Sequence, residues 1–422
     1  MQPTVISEKD LGYLPFEQPA CRFCGTTLQH TFCNLGVSPL SNAYLTSSQL
    51  QEKEHFYPLH VYVCSQCLLV QLPTLHTPDE IFSEYAYFSS YSSSWLEHAK
   101  AYVNMISKRF KLHEHSYVME LASNDGYLLQ FFRQRNIPVL GIEPAKNVAQ
   151  VARDKGIPTR SDFFGCELAK EYLGQVDLLI ANNVLAHVPD LNDFVEGMKR
   201  VLKPQGVMTL EFPHLLRLMD ENQFDTIYHE HFSYFSLLSV QRVFAAHGLM
   251  IFDVEQLPTH GGSLRIYVKH AEDLCKQQEP SVQKLIEEEK SKGLDMLETY
   301  LQFERQAQEV RADLLSFLQQ AHQDNKTVIA YGAPAKGNTL LNYCGLNTKF
   351  LPFTVDKNTY KQGRFLPGTH IPIFSPSKIL EIKPDYVLIL PWNLKQEIMS
   401  EMEAVHQWGG RFVVPIPKLT LI

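Results

Sequence analysis

The sequence predicts an α/β protein in three parts: a small cysteine-bearing N-terminal domain, a doubly wound parallel-sheet domain, and a second α/β unit at the C terminus. Three observations predict it. Two CxxC pairs, Cys21–Cys24 and Cys64–Cys67, stand near the start. The run Ser116–Ala122, a turn containing Gly126, and Tyr127–Arg133 read as strand, turn and helix, the first unit of a doubly wound fold. A second strand, glycine-bounded loop and helix open at Lys326. A chain of 422 residues, 45% hydrophobic and 20% charged, suits a globular protein of two or three domains. The expected boundaries are 1–80, 81–258 and 259–422.

Composition excludes some function classes. A net charge of −8 argues against a nucleic-acid partner, since phosphate binding needs clustered Lys and Arg. No apolar run is long enough to cross a bilayer, and the first ten residues lack the basic start and apolar stretch of a signal peptide. The expected location is therefore cytoplasmic, with reduced thiols, so paired cysteines point to metal before disulfide.

Each CxxC turn presents two thiolates, and two turns complete a tetrahedral zinc site at Cys21, Cys24, Cys64 and Cys67. Four thiolates leave no open coordination position, so this zinc is expected to be structural. A redox dithiol is the alternative. Cys33, Cys166, Cys275 and Cys344 lack partner spacing and read as ordinary thiols.

In the middle of the chain, the first strand ends in Ala122-Ser-Asn-Asp-Gly126. The next strand, Ile137–Ile142, ends in Glu143-Pro144, where an acid suits ribose hydroxyls. A helix from about Ala145 follows, then a strand at Val176–Ile180 running into Ala181-Asn-Asn-Val-Leu-Ala-His187-Val-Pro-Asp190. A helix over Asp193–Leu202, a turn at Lys203–Gly206 and a strand at Val207–Phe212 complete the unit. The first loop is not GxGxxG. Its Asn124 and Asp125 suit a cationic, phosphate-free ligand, which favours S-adenosylmethionine (SAM) over NAD, although both residues can instead cap the following helix.

Tyr228-His229-Glu230-His231 gathers two imidazoles, a carboxylate and a phenol. Such a set can abstract a proton and stabilise an oxyanion, or be a polar loop with metal-capable side chains. In an extended segment His229 and His231 share one face, so spacing does not choose between them. Beyond it, a charged helical stretch spans roughly Ser281–Gln323, and its Glu287–Gly293 run reads as a solvated face. The strand Lys326–Tyr331 leads into Gly332-Ala-Pro-Ala-Lys-Gly337-Asn-Thr339. Lys336 precedes the second glycine, which argues against a Walker loop, yet a lysine opening a helix suits a diphosphate. Lys361 and Arg364 can neutralise phosphate or be ordinary surface charge. Strands at Phe350–Val355, Tyr386–Leu390 and Phe412–Val414 would complete a small parallel sheet.

Glu120–Gly126, Gly141–Pro144 and Ala181–Asp190 resemble class I SAM-dependent methyltransferases. With the cysteine pairs, Tyr228–His231 and Tyr331–Leu341, the chain resembles the nucleotide-sugar C-methyltransferases from Cys21 to about Pro415. Asp356–Gly363 and Leu366–Pro372 match the same pattern. The resemblance implies a class I Rossmann-like SAM domain between a zinc-binding domain and a C-terminal Rossmann-like α/β domain. It implies a nucleotide-diphosphate sugar as substrate, methylated next to the ketone of a 4-keto-deoxysugar, at the 3-position, through an enolate. His231 falls at the family's general base, with Glu230 orienting a partner or polarising the site, Tyr228 donating to the enolate oxygen, and His187 as a second histidine or an ordinary loop residue. Glu120, Ala122, Asn124, Asp125, Gly126, Glu143, Pro144, Asn182 and Asn183 fall on the cofactor side, capped by the region of Tyr85 and Tyr87, which can face the cofactor or simply pack. Lys336, Asn338, Asp356, Lys361 and Arg364 fall on the nucleotide-sugar side. His229 has no mapped role and reads as a solvent-facing neighbour. The rivals are an O- or N-methyltransferase, an epimerase or dehydratase sharing the proton abstraction, and a non-catalytic zinc-stabilised scaffold.

Overall fold

The structure, a computed structural model, describes residues 18–74, 89–91 and 93–422. In the N-terminal part, β1 (His30–Ser38), β2 (Tyr57–Val63) and β3 (Val70–Gln71) form an antiparallel meander. Leu59, Val61 and Val63 alternate along β2 and are all buried, the period-two pattern of a strand with one face on a core.

The central sheet contains β4 (Val118–Leu121), β5 (Val139–Ile142), β6 (Thr159–Arg160), β7 (Val176–Asn182) and β8 (Leu202–Pro213), all parallel. The short β9 (Ser233–Tyr234) leaves this sheet and pairs antiparallel with β3, making the fourth strand of the N-terminal sheet. β10 (Leu249–Leu257) and β11 (Ser263–His270) then return as an antiparallel hairpin against β8. The order is β10-β11-β8-β7-β4-β5-β6. The chain reverses direction across the sheet between β4 and β7, which opens a crevice at their C-terminal ends. Gly126 makes the turn beyond β4 possible: its φ is +76°, and a Cβ there would sit 2.3 Å from Ile157 Cδ1.

One sequence expectation shifts. Lys203–Gly206 is not a separate turn. It lies within β8, where a register irregularity against β7 between Val176 and Leu178 absorbs the extra residues as a bulge. β11, the first strand after position 258, pairs with β8 in the central sheet.

The charged stretch after the hairpin is three helices, Pro280–Ser291, Leu297–Tyr300 and Phe303–Gln323. Its Glu287–Gly293 run is not uniformly solvated, because Glu289 is fully buried. Its Oε1 accepts from the Leu237 amide (2.6 Å) and pairs with His214 Nε2 (2.7 Å), while Oε2 accepts from the Leu238 amide (2.8 Å). It thus satisfies the open N-terminus of the helix Leu237–Ala246.

The C-terminal sheet has β12 (Val328–Tyr331), β13 (Thr354–Val355), β14 (Ile373–Phe374), β15 (Tyr386–Ile389), β16 (Arg411–Val414) and β17 (Thr420–Leu421). Its order is β14-β13-β12-β15-β16-β17. All neighbours are parallel except β17, an antiparallel edge that the sequence reading lacks. Among the described residues, no helix is long and apolar enough to cross a membrane.

Candidate active site and metal site

The Sγ atoms of Cys21, Cys24, Cys64 and Cys67 all lie within 4.8 Å of one another. Cys21–Cys67 and Cys24–Cys64 are 3.5 Å apart and Cys24–Cys67 3.7 Å. A tetrahedron with Zn–S arms of about 2.3 Å has edges of about 3.8 Å, so the donor set fits one zinc ion with no position left open. Gln71 Nε2 donates to Cys21 Sγ (3.1 Å), a support to the ligand from outside the cluster. No second such group occurs among the described residues, and Cys33 and Cys344 are simply buried. Cys64→Ser is expected to lose the metal and lower the melting temperature, measured by metal content and thermal denaturation. Full metal content in that variant would remove Cys64 as a ligand.

At the crevice, β4, β5 and β7 bring Glu120, Ala122, Glu143, Pro144, Asn182 and Asn183 to adjacent strand ends. Ala122, Asn124 and Asn183 all hold left-handed φ of 50–54°, a concentration of strained backbone of the kind found at ligand sites. Glu143 bridges two turns, accepting from the Asn124 and Ala145 amides (2.9 Å each). Asn124 Oδ1 accepts from the Ser89 amide (2.8 Å), and Asp125 Oδ2 from Lys155 Nζ (2.9 Å) and the Ser90 hydroxyl. Neither caps the next helix, Leu129–Arg133, whose N-cap is Leu128 without a side-chain bond. Instead they fasten residues 89–90 over the loop. Glu120 Oε2, Ser123 Oγ and Asn182 Oδ1 are buried without a hydrogen-bond partner. Burial, then the nearby Glu143 and Asp125 carboxyls, push Glu120 well above the usual range. A crevice with unpartnered buried acceptors and surplus acid fits a cationic ligand carrying hydroxyl and ammonium donors, as SAM does. Tyr85 and Tyr87 lie outside the described residues.

The loop before β9 carries the other chemistry. His231 turns back on itself, its amide bonding the Tyr228 carbonyl (2.9 Å), so the segment is a turn rather than extended. That separates the two imidazoles. His229 is buried with Nε2 3.2 Å from the Pro58 carbonyl and its ring edge-on to Tyr57, so it is a packing residue, not a solvent-facing one. His231 Nδ1 lies 2.9 Å from the Thr226 carbonyl. A carbonyl only accepts, so Nδ1 carries the proton and Nε2 the lone pair. The His231 ring is 4.0 Å from Tyr228 and 4.8 Å from His187. Burial, reinforced by His187, holds His231 well below the ordinary imidazole range, and burial takes His187 down to about 4. Both rings are thus neutral at neutral pH. Glu230 Oε1 accepts from Asn42 Nδ2 (2.7 Å), a residue of the N-terminal part.

The C-terminal part meets the same region. Lys336 Nζ lies 4.2 Å over the Trp392 ring and donates to Asn393 Oδ1 (2.9 Å). Trp392 Nε1 donates to Asp225 Oδ2 (2.8 Å), and burial pushes Asp225 up to about 7. Lys361 Nζ donates to the Ala333 carbonyl (2.8 Å) and pairs with Asp356 at 3.6 Å. Tyr44 donates to the same carbonyl (2.6 Å). Asp356 accepts from the Ala333 and Asn358 amides, so it holds the loop rather than standing free. Asn338 is buried, with Nδ2 3.4 Å from the Ser41 carbonyl and Oδ1 3.3 Å from Asn342 Nδ2. Both ends of its amide are engaged within the protein. Arg364 stacks on Tyr360 at 4.1 Å.

Sequence reasoning missed Asn42, Tyr44, Asp225 and His260. His260 sits at φ +55° in the loop between β10 and β11, edge-on to Trp95 at 5.4 Å. Only the following Gly261-Gly262 signals it, and that pair reads as an ordinary turn.

Three family models match the chain: "Putative zinc binding domain" over 21–82, "Methyltransferase domain" over 95–254 and "C-methyltransferase C-terminal domain" over 258–417. C-methyltransferase NovU of Streptomyces niveus is 37% identical over 405 residues, covering 95% of this chain and 96% of its own. A ubiquinone biosynthesis O-methyltransferase of Bordetella avium is 30% identical over 94 residues, 21% of this chain and 39% of its own. Among solved structures, the magnesium protoporphyrin IX methyltransferase of Synechocystis with bound SAM covers 41% of this chain and 78% of its own at 13% identity, with a TM-score of 0.32.

Proposed function

The chain belongs to the zinc-containing, SAM-dependent C-methyltransferase family, and on that premise we propose that it methylates carbon next to the ketone of a nucleotide-linked 4-keto-deoxysugar, at the 3-position. The observation that supports this most is a neutral His231 whose Nδ1–H is fixed on Thr226, leaving Nε2 as a base. Nε2 takes the proton from the carbon beside the ketone, and the electron pair moves onto the ketone oxygen as an enolate. Tyr228 donates to that oxygen. SAM, when bound, would supply an electrophilic methyl group, its S–CH3 bond breaking as the C–C bond forms and the sulfur leaving as a neutral thioether. As the new C–C bond forms the ketone is restored, and His231 returns its proton to solvent. His187 packs against the base, and Glu230, held by Asn42, orients the loop. Lys336, Lys361 and Arg364 are the cations for the diphosphate. Asp356 orients Lys361, and Asn338 supports the loop from behind.

Incubation with SAM and a panel of nucleotide-linked 4-keto-deoxysugars tests the reading. A product one methylene heavier, with the methyl on carbon by NMR, is expected. A methyl on oxygen or nitrogen, or no product while SAM binds, overturns it.

Glu120 gives a second test. Burial, then the Glu143 and Asp125 carboxyls, raise its pKa, so without ligand it keeps its proton to higher pH than an ordinary carboxyl. A cation beside it lowers that pKa, so SAM binding is expected to release a proton and to strengthen as pH rises toward the raised value. Calorimetry in buffers of different ionisation enthalpy reads the proton directly, and Glu120→Gln should abolish its release. Proton-neutral binding by the native protein would remove Glu120 from the cofactor site.

A further inference from the structure

Arg22 lies inside the first zinc knuckle, between Cys21 and Cys24, and its guanidinium reaches out of the knuckle. Nη1 donates to the Pro189 carbonyl (2.9 Å), two residues beyond His187. Nη2 donates to the Leu72 carbonyl, and the guanidinium lies 5.4 Å from the ring of Phe232, the neighbour of His231. The backbone repeats the link. The Arg22 amide donates to Gln71 Oε1 (2.9 Å), and Gln71 Nε2 reaches Cys21 Sγ. Asn192 Nδ2 donates to the Phe23 carbonyl (2.9 Å). The Phe232 amide bonds the Ala186 carbonyl (2.7 Å), and the Phe232 carbonyl accepts from the Leu72 amide (3.0 Å). One cation thus touches both loops that carry the facing imidazoles.

We propose that Arg22 is a positioning residue, which sets the His187 and His231 loops from the zinc knuckle. The proposal rests on His231 being the base. A planar guanidinium can hold two carbonyls and an aromatic face at once, whereas an ammonium has no such fixed fork. The metal fixes Cys21 and Cys24, and so fixes the backbone from which Arg22 reaches. The zinc site then has a consequence for catalysis without touching a reacting atom.

Arg22→Met and Arg22→Lys in the full zinc-loaded chain test it with three readouts: zinc content, amide hydrogen exchange of the segments 184–192 and 226–236, and kcat against KM. Zinc content should stay at the native level. Exchange should rise in both segments. kcat should fall by about 10–100-fold with KM for SAM unchanged, the scale of a misplaced reacting group. Arg22→Lys keeps the charge but loses the fork, and should reproduce most of the loss. It carries the same readouts should Arg22→Met fail to fold. Unchanged exchange in either segment with zinc retained overturns the proposal, as does loosened exchange with native kcat. A native protein that turns over no 4-keto sugar sinks the proposed reaction instead, and the exchange comparison then decides the coupling by itself.

Discussion

His231→Asn lowers methyl transfer by about 10²–10⁴-fold, the contribution of a positioned general base, and leaves SAM affinity near native. Asparagine suits the test because its amide Nδ2–H can still donate to the Thr226 carbonyl, so the turn keeps its anchor while Nε2 disappears. The native pH profile carries the same information. With His231 held well below the ordinary imidazole range by burial and His187, the acid limb of kcat/KM should lie on the acid side of an ordinary histidine's. The folded protein also refuses protons that unfolded histidines accept, so stability should fall as pH drops below about 6.5. For His187 that loss continues toward about 4. Native-level turnover by His231→Asn would transfer the role of base to another group.

Glu289→Ala destabilises the protein by about 3–5 kcal/mol, as expected when a buried carboxylate is removed and its donors are left without an acceptor. The loss is large because one carboxylate serves three donors: the Leu237 and Leu238 amides and His214 Nε2. Alanine leaves a helix N-terminus and a buried imidazole without an acceptor. Glu289→Gln keeps one acceptor oxygen and places an amide donor against another, so it should recover only part of the loss. Urea unfolding followed by circular dichroism measures both. A loss under 1 kcal/mol for Glu289→Ala would mean that water replaces the carboxylate, and the site would not be dry.

Glu289 also shows where the sequence was legible but misread. Val282, Leu285, Ile286 and Glu289 follow the spacing of one helical face, and all four are buried. The acidic run around position 289 masks that stripe when charge is counted without phase. Features that depend on a few consecutive residues were readable. The paired cysteines converge because each CxxC is a local turn, and β4, Gly126 and Glu143 follow from strand–turn–helix patterning. The choice between His229 and His231 needed the turn closed by the Tyr228 carbonyl, a geometry that alternation rules cannot supply. Asn42 was invisible because its bond to Glu230 spans 188 positions of sequence and belongs to no spacing rule. The Lys203–Gly206 bulge likewise depends on the register of β8 against β7, which is set by the partner strand.

The pairing of β9 with β3 has a consequence for biosynthesis. As the chain leaves the ribosome, β3 emerges with one side open and stays so until Ser233 and Tyr234 have been made. The zinc-binding segment produced alone should therefore expose a strand edge and self-associate, as unprotected edges do. A fragment beginning after that segment should lack the clamp on its histidine loop. The N-terminal sheet is thus completed late, and activity should first arise only on chains long enough to have closed that sheet and added Lys336.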